Sequence, residues 1–145
     1  MLTALAGWFV FIVLSLIAGL HAYWGAGGLW PTASEADLVK TVIGISHSPT
    51  MPASATTFAV AALIFAAACF GFGRGVLGFD SLIFSRIPLA VIALVMLARG
   101  IYAYMPGPFS RASEPFATLN AIYFSPLVLV LGLACAWLAL APAET

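Results

Sequence analysis

The sequence predicts an all-α fold: a polytopic membrane protein built as a four-helix transmembrane bundle, with a long loop between its first and second helices. Three observations carry this reading. Hydrophobic residues make up 63% of the 145 positions and charged ones only 7%, with a mean hydropathy of +1.13, whereas soluble domains carry about 25% charged residues. The apolar residues gather into four runs of the length, roughly 20 residues, that a helix needs to cross about 30 Å of hydrocarbon while satisfying its own backbone polar groups. All five acids, Glu35, Asp37, Asp80, Glu114 and Glu144, fall between the runs or in the tail.

The first run predicts a helix over residues 2–22, with Thr3 and Ser15 able to bond back to their own helix carbonyls. It lacks the basic residues that precede the apolar core of a signal peptide, so it is read as a retained helix. Trp8, Tyr23 and Trp24 sit where interfacial aromatics anchor a span. Residues 25–52 are rich in Gly, Pro, Ser and Thr and form a lid-like loop. Inside it, Ser34 followed by Asp37 resembles a capping box, and Leu38, Val42 and Ile43 share one side of a short surface helix.

The second helix covers 53–72 and is lined with Ala59, Ala61, Ala62, Ala66, Ala67 and Ala68, small residues that let helices approach closely. Residues 74–86 are too short to span and read as an interfacial piece around Asp80. A third helix over 87–104 starts at Pro88, which suits a first turn, and carries Arg99; Met105-Pro106-Gly107-Pro108 then breaks it. The fourth covers 116–140, with a kink expected where Pro126 frees the Ile122 carbonyl. The whole, residues 1–145, reads as one transmembrane domain without internal repeats.

Charge excludes several function classes. Five basic and five acidic residues cancel, leaving no basic face for nucleic acid. Cys69 and Cys135 lie within apolar runs at no metal-binding spacing, and His21 has only His47 as a distant companion, so neither a metal nor another cofactor is indicated. The absence of carboxylates from the spans argues against a proton relay.

Four spans place both termini and the second connection on one side, and the first and third connections on the other. The exit of helix one at His21, Tyr23 and Trp24, the entry of helix two at Thr56 and Thr57, the exit of helix three at Arg99 and Tyr102, and the entry of helix four at Asn120 and Tyr123 therefore share a side. Arg99 is the sharpest candidate, because an arginine within a span is costly unless it snorkels or is paired. It either reaches the headgroups, pairs with Glu114 or a carbonyl, or binds an anionic or carbonyl group of a ligand. His21 either bonds a backbone carbonyl, hydrogen-bonds a ligand or transfers a proton, and Asn120 needs a partner if it faces the bundle. His21, Tyr23, Trp24, Arg99, Tyr102, Asn120 and Tyr123 are thus the predicted ligand-binding residues. No catalytic residue is assigned, and the sequence leaves open whether the chain is an enzyme.

His21-x-Tyr23-Trp24-x-x-Gly27-Gly28 and Asn120-x-x-Tyr123-x-Ser125-Pro126-Leu127 resemble the signatures of a widespread bacterial family of small four-helix membrane proteins of unknown function. The resemblance covers most of the chain and implies a fold and a membrane location but no activity. Where that family often has an acid near the start of its last helix, this chain has Asn120.

Two functions follow as expectations. The first is binding of a lipid-like or isoprenoid molecule in a polar-ended pocket lidded by the long loop, with Arg99 and His21 meeting its head. The second is an accessory subunit whose Ala-rich helix packs against a larger membrane complex or a second copy. Arg74, Arg86 and the N-terminal amine, set against Lys40 and Arg111, weakly favour both termini on the inner face of a bacterial cytoplasmic membrane.

Overall fold

The computed structural model describes residues 1–44, 50–105 and 112–142. His47, Arg111, Glu144 and the prolines at 49, 106 and 108 lie outside the described residues. Among those described, all regular structure is helical: α1 (Leu2–Gly25), α2 (Glu35–Val42), α3 (Ser54–Gly75), α4 (Ile87–Tyr102), α5 (Phe116–Leu119) and α6 (Ser125–Leu140). A π-helical segment, Leu82–Arg86, runs directly into α4, and a second, Asn120–Phe124, joins α5 to α6. The continuous helices Leu2–Gly25, Ser54–Gly75, Leu82–Tyr102 and Phe116–Leu140 are each long and apolar enough to cross a membrane.

Several boundaries differ from the sequence reading, and α3 runs on past residue 72 to Gly75. α1 continues past Ala22 to Gly25, which draws His21, Tyr23 and Trp24 into its last turns. Its end is fixed by Gly27, whose φ of 90° lets the amides of Gly27 and Gly28 turn back onto the carbonyls of Trp24 and Tyr23, the crossed pair that satisfies terminal helix carbonyls. The third span starts at Leu82 and stops at Tyr102. Ser81 caps it, accepting from the Phe84 amide at 3.3 Å, so part of the expected interfacial piece is helix.

Two prolines shape the third and fourth spans. Pro88 and Pro126 each follow a π-helical segment that ends two residues earlier. Proline donates no N–H and its ring crowds the carbonyl four residues back, so a widened turn just before it relieves the clash. The distortion expected at Pro126 takes this form.

The spans pack as two consecutive pairs, α1 with α3 and α4 with α6, with α1 also resting on α6. The buried residues of α1, Thr3, Gly7, Val10, Leu14 and Ala18, recur every three or four positions on one face. At Gly7 the helices nearly touch: a Cβ added to Gly75 would lie 2.5 Å from the Gly7 Cα. The second pair interlocks reciprocally, Leu129 filling the space over Gly100 and Leu97 that over Gly132. Of the α3 alanines, Ala61, Ala67 and Ala68 are buried, whereas Ala59, Ala62 and Ala66 face outward. Leu16, Leu63, Leu94 and Leu140 are also exposed, as side chains bathed in lipid would be.

α2 is the short helix anticipated in the first connection. Ser34 accepts from the Asp37 amide at 3.2 Å, and Leu38 is buried as expected. Val39 is buried with it, while Val42 and Ile43 are only partly covered.

Candidate functional site

On the side of the first and third connections, α1, α2 and the start of α3 border a half-open cavity of about 180 Å³. Its wall includes His21 and Trp24 from α1, Val42 and Ile43 at the end of α2, and Thr57 and Val60 from α3. The position of His21 follows from helix geometry: one turn below it, the Ile17 carbonyl lies 2.8 Å from Nδ1. A carbonyl only accepts, so Nδ1 carries the proton, and the tautomer that makes this bond leaves Nε2 as an acceptor. The Trp24 ring meets His21 edge-on at 5.2 Å between centroids, and its Nε1–H donates to the Trp30 carbonyl at 2.7 Å. That bond folds residues 26–30 back over the end of α1.

α2 closes one side of the cavity and is held in place from two directions. The Glu35 carboxylate accepts from the Met51 amide at 2.8 Å. At the other end, the Gly44 carbonyl accepts from the Ser113 amide at 3.2 Å, and Gly44, with φ of 77°, lies against the Phe116 ring. The lid therefore touches both helix pairs.

Arg99 occupies a separate place between α4 and the π-helical segment before α6. It donates to Asn120 Oδ1 at 2.8 Å and to Ser125 Oγ at 3.4 Å, while the Ser125 hydroxyl donates to Asn120 Oδ1 at 3.1 Å. Asn120 and Ser125 are buried, at 3% and 0% exposure. Asn120 opens the π-helical segment and Ser125 follows it, so the widened turn presents both to one guanidinium. Nearby, the Tyr104 hydroxyl donates to the Ala121 carbonyl at 2.8 Å. Glu114, one expected partner of Arg99, accepts instead from the amide and hydroxyl of Thr118 at 3.3 and 3.1 Å.

The predicted residues thus fall into two groups. His21 and Trp24 line the cavity; Arg99 and Asn120 form the buried network, and neither reaches the cavity wall. Tyr23, Tyr102 and Tyr123 are exposed; Tyr102 borders a shallow depression beside Arg99, and Tyr23 covers Gly28. Ser125, quoted above for its motif, was not among the predicted residues, and its place one turn after Asn120 was the available signal.

At the opposite end lies a cluster that sequence reasoning used only to judge orientation. Arg86 grips Asp80 through two bonds, Nε to Oδ1 at 2.6 Å and an outer nitrogen to Oδ2 at 2.9 Å. Arg74, 3% exposed, faces Asp80 at 3.7 Å and donates to the Ala141 carbonyl at 2.8 Å. The Arg86 hydrogen bonds hold the Asp80 carboxyl below the usual carboxylate range; partial burial opposes this, and the Arg74 charge assists it. The cluster ties the second connection to the end of α6. Among the described residues, no three His, Cys, Asp or Glu side chains group together as metal ligands would.

Residues 14–135 match the profile of a family described as "Protein of unknown function (DUF3995)". No curated protein and no solved structure matches the chain.

Proposed function

The chain belongs to this DUF3995 family, and from the geometry we propose that it binds a lipid-like or isoprenoid amphiphile in the cavity beneath α2. The observation that carries this reading is the cavity itself: a mostly apolar wall interrupted by His21, beside a bundle whose other face is exposed apolar surface. Binding sites of this kind combine apolar lining with a few polar groups that fix orientation. At about 180 Å³ the cavity is below the roughly 300–1,000 Å³ of sites that enclose a whole drug-sized ligand. It suits a small head and the first carbons of a chain that continues into the bilayer. Among the described residues of the wall, His21 is the one titratable side chain.

Lipid extraction and mass spectrometry of the purified protein test this. A lipid class enriched over the host membrane is expected with wild type and lost with His21→Ala and with Val60→Trp, which fills the cavity. Identical bulk lipids in all three would overturn it.

A second reading has its own support. Ala55, Ala59, Ala62 and Ala66 form an outward stripe along α3, the small-residue spacing that lets another transmembrane helix approach. An accessory subunit would then co-purify with a stoichiometric partner, or with a second copy, in mild detergent. For location, we propose a bacterial inner membrane with both termini inside, on the bias of Arg74 and Arg86 toward that side. A reporter fused after Thr145 that is active only in the cytoplasm checks it.

A further inference from the structure

Among the described residues, most of the polar groups that border the cavity beneath α2 have their donors committed, and this restricts what it accepts. The Trp24 indole N–H goes to the Trp30 carbonyl at 2.7 Å, the Thr57 hydroxyl to the Ala53 carbonyl at 3.3 Å, and the His21 Nδ1–H to the Ile17 carbonyl at 2.8 Å. The Met51 amide, also on the wall, is taken by Glu35 at 2.8 Å. What these groups leave toward a ligand are acceptors: the His21 Nε2 lone pair and the remaining lone pairs of the Thr57 hydroxyl. Thr56 brings a rotatable hydroxyl, but it is exposed, as are Ser54 and Ala55, so the open amides of the first turn of α3 belong to the mouth.

Resting on the binding role proposed above, we infer that the ligand's head is a hydrogen-bond donor, an alcohol such as a hydroxyl-headed isoprenoid. Among the described residues, a ketone, ether, carboxylate or phosphate head would find donors only in the exposed Thr56 hydroxyl and the amides at the mouth, and would set an acceptor against Nε2. In an apolar cavity, two facing lone pairs cost the desolvation of both groups, whereas an O–H to Nε2 contact satisfies both. The arginine once expected to meet an anionic head is engaged by Asn120 and Ser125 and does not line this cavity, in keeping with an uncharged ligand.

The test uses a matched pair, geraniol and its methyl ether, titrated calorimetrically into the full-length protein in nanodiscs, with empty discs as the reference. Geraniol is expected to bind saturably and about tenfold more tightly than the ether, the factor that one hydrogen bond supplies. His21→Phe should bring the two within about twofold. His21→Gln, which offers an amide donor in place of a committed ring, should favour the ether, and it serves if the Phe variant does not fold. Equal affinities of wild type for both compounds would overturn the donor requirement while leaving the cavity as a site. If neither compound binds above empty discs, and Val60→Trp behaves as wild type does, the binding role itself falls.

Discussion

Arg99 shows how a residue that looks like a ligand anchor becomes a structural one. A guanidinium within a span needs acceptors, and here two come from the next span, one opening a π-helical segment and one just after it. Asn120→Ala removes the 2.8 Å acceptor from a buried position, and the expected loss is about 0.5–2 kcal/mol, the span of interhelical polar contacts in membranes. Asn120→Asp restores an acceptor and adds a counter-charge, so it should keep or raise the melting temperature in detergent. A drop as large as that of Asn120→Ala would show that Arg99 does not draw on this oxygen. The sequence made Arg99 and Asn120 legible as residues in need of partners, because polar groups within apolar runs are rare. Their pairing was not legible: it depends on the azimuths of two helices, which the widened turn at Asn120–Phe124 resets.

At the level of helices, the contact between α1 and α3 rests on backbone against backbone. A methyl group on Gly75 meets the Gly7 Cα at 2.5 Å and the Thr3 carbonyl at 2.7 Å, and backbone cannot move aside as a side chain can. Gly75→Ala should therefore cost about 1–3 kcal/mol, as overpacking does, read as a lower melting temperature. Gly19→Ala is the counterpart: nothing lies within 4 Å of its added Cβ, so better helix propensity should leave stability unchanged or up to about 1 kcal/mol higher. Equal effects of the two would refute the close seam. The four spans were readable from length and hydropathy alone, and the α2 cap from Ser34 and Asp37. The faces were harder to read. The alanines of α3 pointed to close approach, yet the tightest contact is made by Gly71 and Gly75, since amphipathic contrast vanishes when both lipid and core are apolar.

For the molecule as a whole, the two polar ends have different tasks. One holds the lid and the cavity; the other, through Asp80, joins α3, the start of the third span and the end of α6. Because Asp80 titrates below its ordinary value in the fold, its contribution is fully present above the unfolded aspartate pKa of about 3.9 and is lost as pH falls through the depressed folded value. Asp80→Asn should lower the melting temperature at pH 7, and the gap from wild type should narrow as pH falls below the unfolded value of about 3.9. A gap that does not change with pH would show that the charge is immaterial. This cluster was hidden in the sequence because Arg74 and Arg86 flank a segment that, without the fold, has no visible relation to residues 139–142. The Arg99 network, finally, imposes an order on synthesis: its acceptors Asn120 and Ser125 are made 21 and 26 residues later. The third span is polymerised before either exists, and a chain that ends short of them cannot offer Arg99 these two acceptors. Nascent chains truncated after Met105 should integrate less efficiently than those carried through Leu140, and Arg99→Leu should remove that difference.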